Sequence, residues 1–481
     1  MSVRPGNKEA SITSYGGVGG QVSGSCHVFE SGNNKVVVDC GIYQGRGDLA
    51  ILWEKFQSSE DMTGDIWNHT QAVLGTHDHA DHLFGVPNAF KNGFHPNVYV
   101  SEITKRIVQQ TLLHSVAIED KGDAEGSFYG FYDVKRMLAY TKTVKPFDEM
   151  PITRDKAISA IFCPNGHTPG SSSIIIKDKS SGKNVLFTGD IGRPNQLLTG
   201  GYKRFVNEYP QVPINTVIVE STCYPNSPIP FDKRVSSMQK EIVDTFKRGG
   251  NVLMPCINHR YMENTEIIHN LGDLPKGIEF YLDGPSLELI HGIYEGLGTE
   301  YFTTRYGDNP VYYKTEGESR SRFNLANFSR IKKHEASLTN AEILGETPRK
   351  AIIFASGGMG ENGRVCNYLD GNFIRNPKNT VLFSCYQVDG TAGSNLLKAY
   401  SRPGYRGARI VKLEGGSSHA TGKEEIFGFL ERFNLEDLEN VLIVHGTDTS
   451  RKSMEFGIRQ ADFGEYVNIK LPDIGERIDL V

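Results

Sequence analysis

The sequence Gly75-Thr76-His77-Asp78-His79-Ala80-Asp81-His82 is the stretch from which the fold of this chain can be predicted. It follows an apolar run, Ala72-Val73-Leu74, that predicts a buried strand. Its last six residues hold three of the 14 histidines of the chain and two carboxylates, so an accidental polar loop is a poor explanation. Imidazole and carboxylate are ligands that zinc accepts, and catalytic zinc sites keep one position open for water. We expect His77 and His79 to bind one metal ion, and Asp81 and His82 a second.

The size and composition of the chain narrow the classes of protein to consider. Its 481 residues predict two or three domains, and 38% hydrophobic with 23% charged residues is typical of a soluble globular protein. Basic residues number 52 and acidic residues 57, a net charge of -5, so binding to a polyanion would have to come from local patches or metal ions. No signal-like N-terminus and no apolar run near the ~20 residues of a membrane helix are visible, so we expect no membrane association. Seven scattered cysteines without a Cys-x-x-Cys pair favour reduced thiols in a cytoplasmic protein.

The texture of the sequence changes near residue 216. Before it, short strands alternate with glycine turns, and Ser23–Glu30 and Lys35–Asp39 flank the turn Ser31-Gly32-Asn33-Asn34, which predicts a β-hairpin. After it, apolar strands such as Ala351–Phe354 alternate with helical stretches such as Val235–Lys247. This β-α-β rhythm predicts a parallel sheet covered on both faces.

Two more ligands are needed to complete a pair of metal sites. His167 lies in the turn Asn165-Gly166-His167-Thr168-Pro169-Gly170-Ser171, and Asp190 follows the apolar strand Val185-Leu186-Phe187 in Thr188-Gly189-Asp190. One oxygen of Asp190 on each of two cations would hold them ~3.5–4 Å apart, as in two-metal hydrolases. Either motif alone is weak evidence, but both follow the histidine-rich loop in this order.

These motifs together resemble the metallo-β-lactamase superfamily. The resemblance rests on His-x-His-x-Asp-His, then Gly-His-Thr-Pro-Gly-Ser, then Thr-Gly-Asp, and it implies an αβ/βα sandwich with two metals at one sheet edge. Asp39, in Val38-Asp39-Cys40-Gly41, matches the superfamily's first motif, whose aspartate supports the metal loop and does not bind metal.

Three further motifs are similar to the A, B and C motifs of the β-CASP nucleases, which process RNA or DNA. They are Glu220-Ser221-Thr222, Ser417-Ser418-His419-Ala420 and Val444-His445-Gly446. The segment from Ala355 to Val365 resembles the domain that this family inserts within its metallo-β-lactamase domain. The resemblance therefore implies an α/β fold with a metallo-β-lactamase domain in residues 1–222 and 409–481 and a β-CASP domain in residues 223–408.

The resemblance also implies a metal-ligand set, in which Asp190 bridges two ions. The first ion would be bound by His77, His79, His167 and Asp190. The second would be bound by Asp81, His82, Asp190 and His445. The place of His445 in this set depends on the resemblance, and a capping or buried histidine is its alternative.

Catalytic and substrate-binding roles follow from the same resemblance. We expect His419, Glu220 and Asp81 to be catalytic, with His419 as the general acid that protonates the departing oxygen. Glu220 would hold that imidazole and raise its pKa, although a purely structural hydrogen bond is an alternative. Ser356 and Arg364 would contact a flanking phosphate, or serve only the geometry of a glycine-rich turn.

The function that we expect is a zinc-dependent ribonuclease that hydrolyses RNA phosphodiester bonds by a two-metal mechanism, in RNA processing or decay. His445 is the one feature that favours RNA, because the DNA-repair branch of the family usually has valine there. A DNA nuclease, a small-molecule hydrolase of the glyoxalase II or lactamase type and a non-catalytic scaffold are the alternatives. The expected cofactors are two Zn²⁺ ions, although Mn²⁺ accepts the same donors. Single-stranded RNA is the expected partner, and a homodimer is left open.

Overall fold

A computed structural model of the chain describes residues 10–43, 60–119, 129–196, 199–205, 207–257, 276–293, 328–385, 389–415, 418–461 and 466–480, with the single positions 261, 263, 264, 268, 387 and 463. The chain divides into two compact units. Unit 1 comprises Met1–Pro228 and Ser418–Val481, and unit 2 comprises Ile229–Ser417.

The first sheet of unit 1 has antiparallel and parallel halves. Its strands are β1 (Ala10–Gly16), β2 (Cys26–Ser31), β3 (Asn34–Cys40), β4 (Thr70–Leu74), β5 (Asn97–Ser101), β6 (Thr141–Val144) and β20 (Arg477–Leu480). Their spatial order is β20-β1-β2-β3-β4-β5-β6, antiparallel as far as β3 and parallel from β3 to β6. The predicted hairpin is confirmed, because β2 pairs with β3 across a turn in which Gly32 has a φ of 60° that favours glycine.

The second sheet of unit 1 repeats this arrangement. Its strands are β7 (Glu149–Pro151), β8 (Ile158–Pro164), β9 (Ser172–Asp178), β10 (Asn184–Phe187), β11 (Thr216–Glu220), β18 (Asn440–Val444) and β19 (Asn468–Lys470). Their order is β19-β18-β11-β10-β9-β8-β7, parallel from β19 to β10 and antiparallel from β10 to β7.

The two sheets pack face to face and share one apolar core. Phe29 and Leu74 from the first sheet meet Phe162, Ile174 and Phe187 from the second in one buried cluster. Burying each such side chain is worth ~1.5–3 kcal/mol, so this shared core holds the sheets and their strand ends in fixed positions.

Helices cover the outer faces of these sheets. Those of unit 1 are α1 (Glu60–Trp67), α2 (Ala80–Leu83), α3 (Pro87–Lys91), α4 (Glu102–Glu119), α5 (Phe131–Tyr140), α11 (Gly422–Leu430) and α12 (Asp448–Arg459), with a 3₁₀ turn at Tyr202–Phe205. Trp67, Phe90, Leu112 and Met137 from α1, α3, α4 and α5 form a second cluster with Val73 of β4, and α12 contacts β18. The layers are those of the predicted αβ/βα sandwich.

Unit 2 contains a parallel sheet flanked by helices, as the β-α-β rhythm predicts. Its strands are β12 (Val252–Cys256), β13 (Glu279–Asp283), β14 (Phe328–Ile331), β15 (Ala351–Ser356), β16 (Thr380–Phe383) and β17 (Arg409–Lys412), and its helices include α6 (Phe231–Lys247), α7 (His334–Glu346), α8 (Val365–Leu369), α9 (Asn372–Arg375) and α10 (Ala392–Tyr400). The order is β14-β13-β15-β12-β16-β17, with every pairing parallel.

The boundaries of the units differ from the predicted ones by a few residues. The chain leaves unit 1 after Pro228 rather than after residue 222, and returns at Ser418 rather than at residue 409. The second difference has a clear cause, because β17 pairs with β16 and buries Ile410, which adds a sixth strand to the sheet of unit 2.

Two further observations concern membrane-spanning helices and disulfide bonds. None of the helices within the described ranges is long and apolar enough to cross a membrane. All seven cysteines are free thiols.

Candidate metal centre

The histidine-rich loop follows β4 directly and is fixed by Asp39 at the end of β3. The carboxylate of Asp39 accepts hydrogen bonds from the backbone N–H of Thr76 at 2.8 Å and from its hydroxyl at 2.7 Å. Asp39 has a φ of 56°, which is uncommon for a residue other than glycine and points its side chain at the loop. The loop therefore leaves the sheet in a defined direction, with the His77 and His82 side chains buried.

A first group of ligand atoms forms around Asp190 Oδ2. His77 Nε2 lies 3.6 Å and His167 Nε2 3.5 Å from this oxygen, and His77 Nε2 lies 2.9 Å from His79 Nδ1. His77, His79, His167 and Asp190 can each offer one ligand atom within 4.8 Å of the others. These four residues are the ones predicted for the first ion.

A second group forms around the other oxygen of the same carboxylate. Asp190 Oδ1 lies 3.3 Å from His82 Nε2 and 3.5 Å from His445 Nε2, and the latter lies 3.6 Å from Asp81 Oδ2. Asp81, His82 and His445 form a compact ligand set. The structure thus brings all seven predicted ligands together, with Asp190 between the two groups.

The tautomers of three histidines are set by hydrogen bonds on the side away from Asp190. His82 donates its Nδ1–H to Asp39 at 2.8 Å. The hydroxyls of Thr76 and Thr222 already donate to Asp39 Oδ2 and to the carbonyl of His445, so they accept from Nδ1–H of His77 at 3.1 Å and of His445 at 2.8 Å. Each Nε2 is then left with a lone pair aimed at the cluster, the usual arrangement around a metal.

The donor set fits divalent cations. Among the described residues, buried His167 makes no hydrogen bond at either ring nitrogen, and Asp190 Oδ1 makes none. The Nε2 atoms of His82 and His445 face each other at 3.1 Å, which requires a proton or a cation between two lone pairs. Two ligands of one tetrahedral zinc, each at ~2.1 Å, would lie about 3.4 Å apart, close to the separations in both groups. The protein therefore has a divalent-metal site.

The electrostatics of His77 and His167 agree with this fit, whereas those of His82 favour a proton that a bound metal ion would displace. Burial holds the pKa of His77 and of His167 well below the usual value, which keeps both imidazoles neutral and able to bind metal. For Asp190 and His82 burial acts against the charged form. The imidazoles of His445 and His82 nonetheless hold the pKa of Asp190 well below its usual value, and Asp190 and Asp39 raise the pKa of His82 well above.

Glu220 and His419 form a pair beside this cluster. His419 Nδ1 lies 3.0 and 3.1 Å from the two oxygens of Glu220, and its Nε2 lies 3.7 Å from Asp190 Oδ2. Burial lowers the pKa of His419, but the carboxylates of Glu220 and Asp190 outweigh this effect and raise it to about 10. The two residues are 199 positions apart in sequence, and an isolated antiparallel bridge between Gly192 and His419 holds the His419 loop against the loop that carries Asp190.

Backbone contacts hold this pair in place. Glu220 accepts hydrogen bonds from the N–H groups of Ile191 at 2.7 Å and Thr222 at 3.2 Å, and Ala420 N–H donates to Ile191 O at 2.7 Å. Glu220 is therefore buried with its charge compensated by N–H donors, and His419 is attached to the loop that carries Asp190. A further set, Asp190, Glu220 and His445, is also compact enough to share an ion, so Glu220 is an alternative ligand.

His445 is held in a left-handed conformation by contacts with distant segments. Its φ is 49°, its N–H donates to Gly17 O at 2.6 Å, and its carbonyl accepts from Ser221 N–H and Thr222 Oγ1. The role of Thr222 was missed from sequence, although it lies within the motif Glu220-Ser221-Thr222. The available signal was that the hydroxyl of Thr222 lies two residues after Glu220, the carboxylate at the end of β11.

The predicted substrate-binding residues lie together in unit 2. Ser356 ends β15, and its Oγ accepts a hydrogen bond from the backbone N–H of Arg364 at 3.3 Å. Sequence reasoning missed Asp283, a buried carboxylate beside Arg364.

Comparison with known families matches the two units separately. Residues 19–220 match the metallo-beta-lactamase superfamily, and residues 259–396 match the Beta-Casp domain. The ligands from His77 to Asp190, and Glu220, lie within the first match, whereas Ser356 and Arg364 lie within the second.

Several proteins are similar to this chain over almost its whole length. Ribonuclease TTHA0252 of Thermus thermophilus is 24% identical, with 94% of this chain and 96% of that protein covered. The protein named Probable RNase MJ4 of Methanocaldococcus jannaschii is 26% identical, with 95% and 97% covered. Endoribonuclease ysh1 of Schizosaccharomyces pombe is 25% identical, with 96% of this chain and 59% of that protein covered.

A solved structure shares the fold. The crystal structure of a protein of unknown function from Enterococcus faecalis aligns with a TM-score of 0.60 at 14% identity, covering 98% of this chain and all of that one.

Proposed function

Because the chain belongs to the metallo-beta-lactamase superfamily and carries a Beta-Casp domain, we propose that it is a metal-dependent ribonuclease acting in RNA processing or decay. One observation carries the proposal: two groups of ligand atoms share Asp190, and the Glu220–His419 pair contacts the same carboxylate. A metal pair with an adjacent proton donor matches the needs of phosphodiester hydrolysis. The relatives named as ribonucleases support RNA as the substrate.

We assign the metal site to two zinc ions, with manganese as the alternative. His77, His79, His167 and Asp190 would hold one ion, and Asp81, His82, Asp190 and His445 the other. When bound, the ions would offset the charge of the phosphate and activate a water for attack. The mixture of five imidazoles with carboxylates favours zinc over magnesium or calcium, which prefer oxygen ligands.

The ligand residues contribute by their fixed orientation. Asp39, Thr76 and Thr222 lock the rings of His82, His77 and His445, so little side-chain freedom is lost when an ion binds. Asp81 stays more accessible than the histidine ligands of its group, and we assign it to the ligand set next to the water that attacks.

His419 would protonate the departing oxygen. Its Nδ1–H is held by Glu220, so its Nε2 faces the cluster and is the atom that would deliver a proton. The carboxylate of Glu220 keeps the imidazole charged at neutral pH, so a proton is ready when the phosphodiester bond breaks. Ser356 and Arg364 would bind a flanking phosphate through hydroxyl and guanidinium donors.

A direct test uses full-length protein with single-stranded RNA and DNA of the same sequence, each labelled at the 5′ or 3′ end. Cleavage of RNA that stops with chelator and returns with Zn²⁺ or Mn²⁺ is the expected result. Asp190→Ala should be inactive, whereas Asp178→Ala, which removes a buried carboxylate of unit 1 that accepts hydrogen bonds from Ser180 and Ser181, should cleave normally. Faster cleavage of DNA, or chelator-resistant cleavage, would overturn the proposal, and product sizes would separate endonuclease from 5′–3′ exonuclease action.

Location and assembly are further expectations. Seven free thiols support a cytoplasmic location, and a homodimer stays open.

A further inference from the structure

A buried carboxylate lies directly behind the turn that carries Ser356 and Arg364. Asp283 ends β13 and pairs in register with Ala355 of β15, so it emerges at the same edge of the parallel sheet as Ser356. Gly284 follows with a φ of 143°, and a Cβ there would lie 2.3 Å from Ser356 Oγ. The close approach of the two strand ends therefore requires glycine at this position.

One oxygen of Asp283 is fixed by two hydroxyl donors. Oδ2 accepts from Ser337 Oγ at 2.6 Å and from Tyr368 OH at 2.7 Å. Burial and the charge of Asp283 keep the pKa of Tyr368 well above its usual value, so the phenol stays protonated and donates. The side chain of Asp283 therefore has a set orientation.

The other oxygen faces Arg364 and accepts no hydrogen bond from any described residue. The side chain of Asp283 is completely buried, and its Oδ1 lies 3.9 Å from Arg364 Nε. A buried carboxylate oxygen without a hydrogen bond is costly unless a cation compensates it. The guanidinium of Arg364 supplies that charge.

Arg364 is held on several sides but keeps access to solvent. Its Nη1 contacts His334 Nδ1, its Nη2 donates to Lys332 O at 3.2 Å, and 15% of its side chain is exposed. A guanidinium has five N–H donors, more than these contacts use. The exposed edge can therefore present N–H groups to an anion.

We propose that Asp283 is a positioning residue, which holds the guanidinium of Arg364 so that its remaining N–H groups meet a phosphate of the RNA. The inference rests on the proposed function, because the phosphate would belong to the RNA substrate. An arginine fixed before binding loses less side-chain freedom when the phosphate arrives, which strengthens binding without any direct contact from Asp283.

If Asp283 is a positioning residue, removing its charge should change the RNA affinity in the direction opposite to that expected from charge repulsion. Asp283 carries a negative charge close to the bound phosphate, so removing that charge should tighten RNA binding if Coulomb repulsion dominates. If positioning dominates, Asp283→Asn should weaken binding, roughly tenfold, the loss expected when one charge-assisted hydrogen bond is misplaced.

The experiment is fluorescence anisotropy with the metal-loaded, full-length protein and a phosphorothioate single-stranded RNA, which keeps the backbone charge and resists cleavage. Asp283→Asn should weaken binding about tenfold, and Arg364→Lys should weaken it as well. The double variant should bind no worse than Arg364→Lys, because Asp283 acts only through the guanidinium. Glu279→Gln, which removes a partly exposed carboxylate from the other end of β13, should bind like the wild type.

Unchanged or tighter binding by Asp283→Asn, or losses that multiply in the double variant, would overturn the inference. If Asp283→Asn does not fold, Tyr368→Phe replaces it in the test. This variant removes one hydrogen bond to the Asp283 carboxylate without changing its charge, and it should weaken RNA binding by a smaller factor. Wild-type protein that binds RNA without cleaving it would reject the proposed function alone. Wild-type protein that binds no RNA would reject both.

Discussion

Glu220→Gln tests the proposed proton donor, His419, without replacing any of the seven proposed metal ligands. It preserves the size of the side chain and one acceptor oxygen, which can serve the N–H of either Ile191 or Thr222, because these groups donate to different oxygens of Glu220. It removes the charge that lies 3.0 and 3.1 Å from His419 Nδ1. We expect both metal ions to stay bound, and the pH dependence of RNA cleavage to change.

The size of that change can be worked out from the geometry. Two unit charges ~4 Å apart interact by about 4 kcal/mol at an effective dielectric constant of ~20, which corresponds to about 3 pKa units. The side chain of His419 is 16% exposed, so solvent reduces this value, and neighbouring charges at such distances usually shift a pKa by ~1–3 units. We therefore expect the pKa of His419 to fall by ~1–3 units in Glu220→Gln.

The sign follows from the role of the imidazole. A general acid must be protonated, so activity persists below the pKa of His419 and is lost as the pH rises through it. Glu220 raises that pKa, and its removal should move the basic limb of the kcat/KM profile to lower pH.

The assay is kcat/KM for RNA between about pH 6 and 10, for wild type, Glu220→Gln and the control Glu424→Gln, with metal content and thermal unfolding measured in parallel. Glu424 is an exposed carboxylate in the first turn of α11. A basic limb that stays in place, or moves to higher pH, in a folded and metal-loaded Glu220→Gln would refute the assignment. Loss of an ion would instead make Glu220 a ligand.

Four further substitutions test the remaining roles. Asp190→Ala should lose both ions by elemental analysis, and His445→Ala should lose mainly one. The control His95→Ala, which removes an exposed imidazole, should keep two ions per chain, and full metal occupancy in Asp190→Ala would reject the bridging role. His419→Ala should keep both ions and cleave RNA ~10²–10⁴-fold more slowly. It should retain most of its activity on a p-nitrophenyl phosphodiester, whose leaving group needs little protonation, and an equal loss of activity on both substrates would exclude His419 as the acid. Asp39→Asn should weaken the binding of one ion ~10–100-fold, because His82 loses its carboxylate partner. Competition with a chromogenic chelator measures this affinity, and an unchanged value would show that Asp39 fixes only the loop.

The proposed metal ligands could be located from sequence because they lie on short turns at strand ends. A local motif such as His77–His82 fixes both residue type and direction, and the sheets then bring the distant turns of His167 and Asp190 to one edge. Each turn is coded by a few adjacent residues, so a single sequence contains most of the signal.

Apart from Asp39, the groups that orient the site residues could not be predicted in the same way. Thr222 is identified only by its 2.8 Å contact with His445 Nδ1, and a threonine at a strand end has many other uses. Asp283 is marked by burial without a full set of hydrogen bonds, a property of the packed sheet rather than of its sequence neighbours. The positive φ of His445 likewise depends on a hydrogen bond to Gly17, more than four hundred residues away.

Asp190 lies next to both the metal site and the proposed acid, and this arrangement gives Glu220 a specific place in the proposed mechanism. The same Oδ2 lies 3.5 Å from His167 Nε2 and 3.7 Å from His419 Nε2. Together with Glu220 it raises the pKa of His419 to about 10, so the imidazole holds its proton. Cations bound at Asp190 would offset its charge and repel the imidazolium, so the pKa of His419 should fall towards neutrality. Glu220 then limits that fall, because its charge points at Nδ1, away from the ions. A site with Asp190 alone would lose its proton donor on binding metal, whereas the second carboxylate lets His419 stay protonated beside two cations.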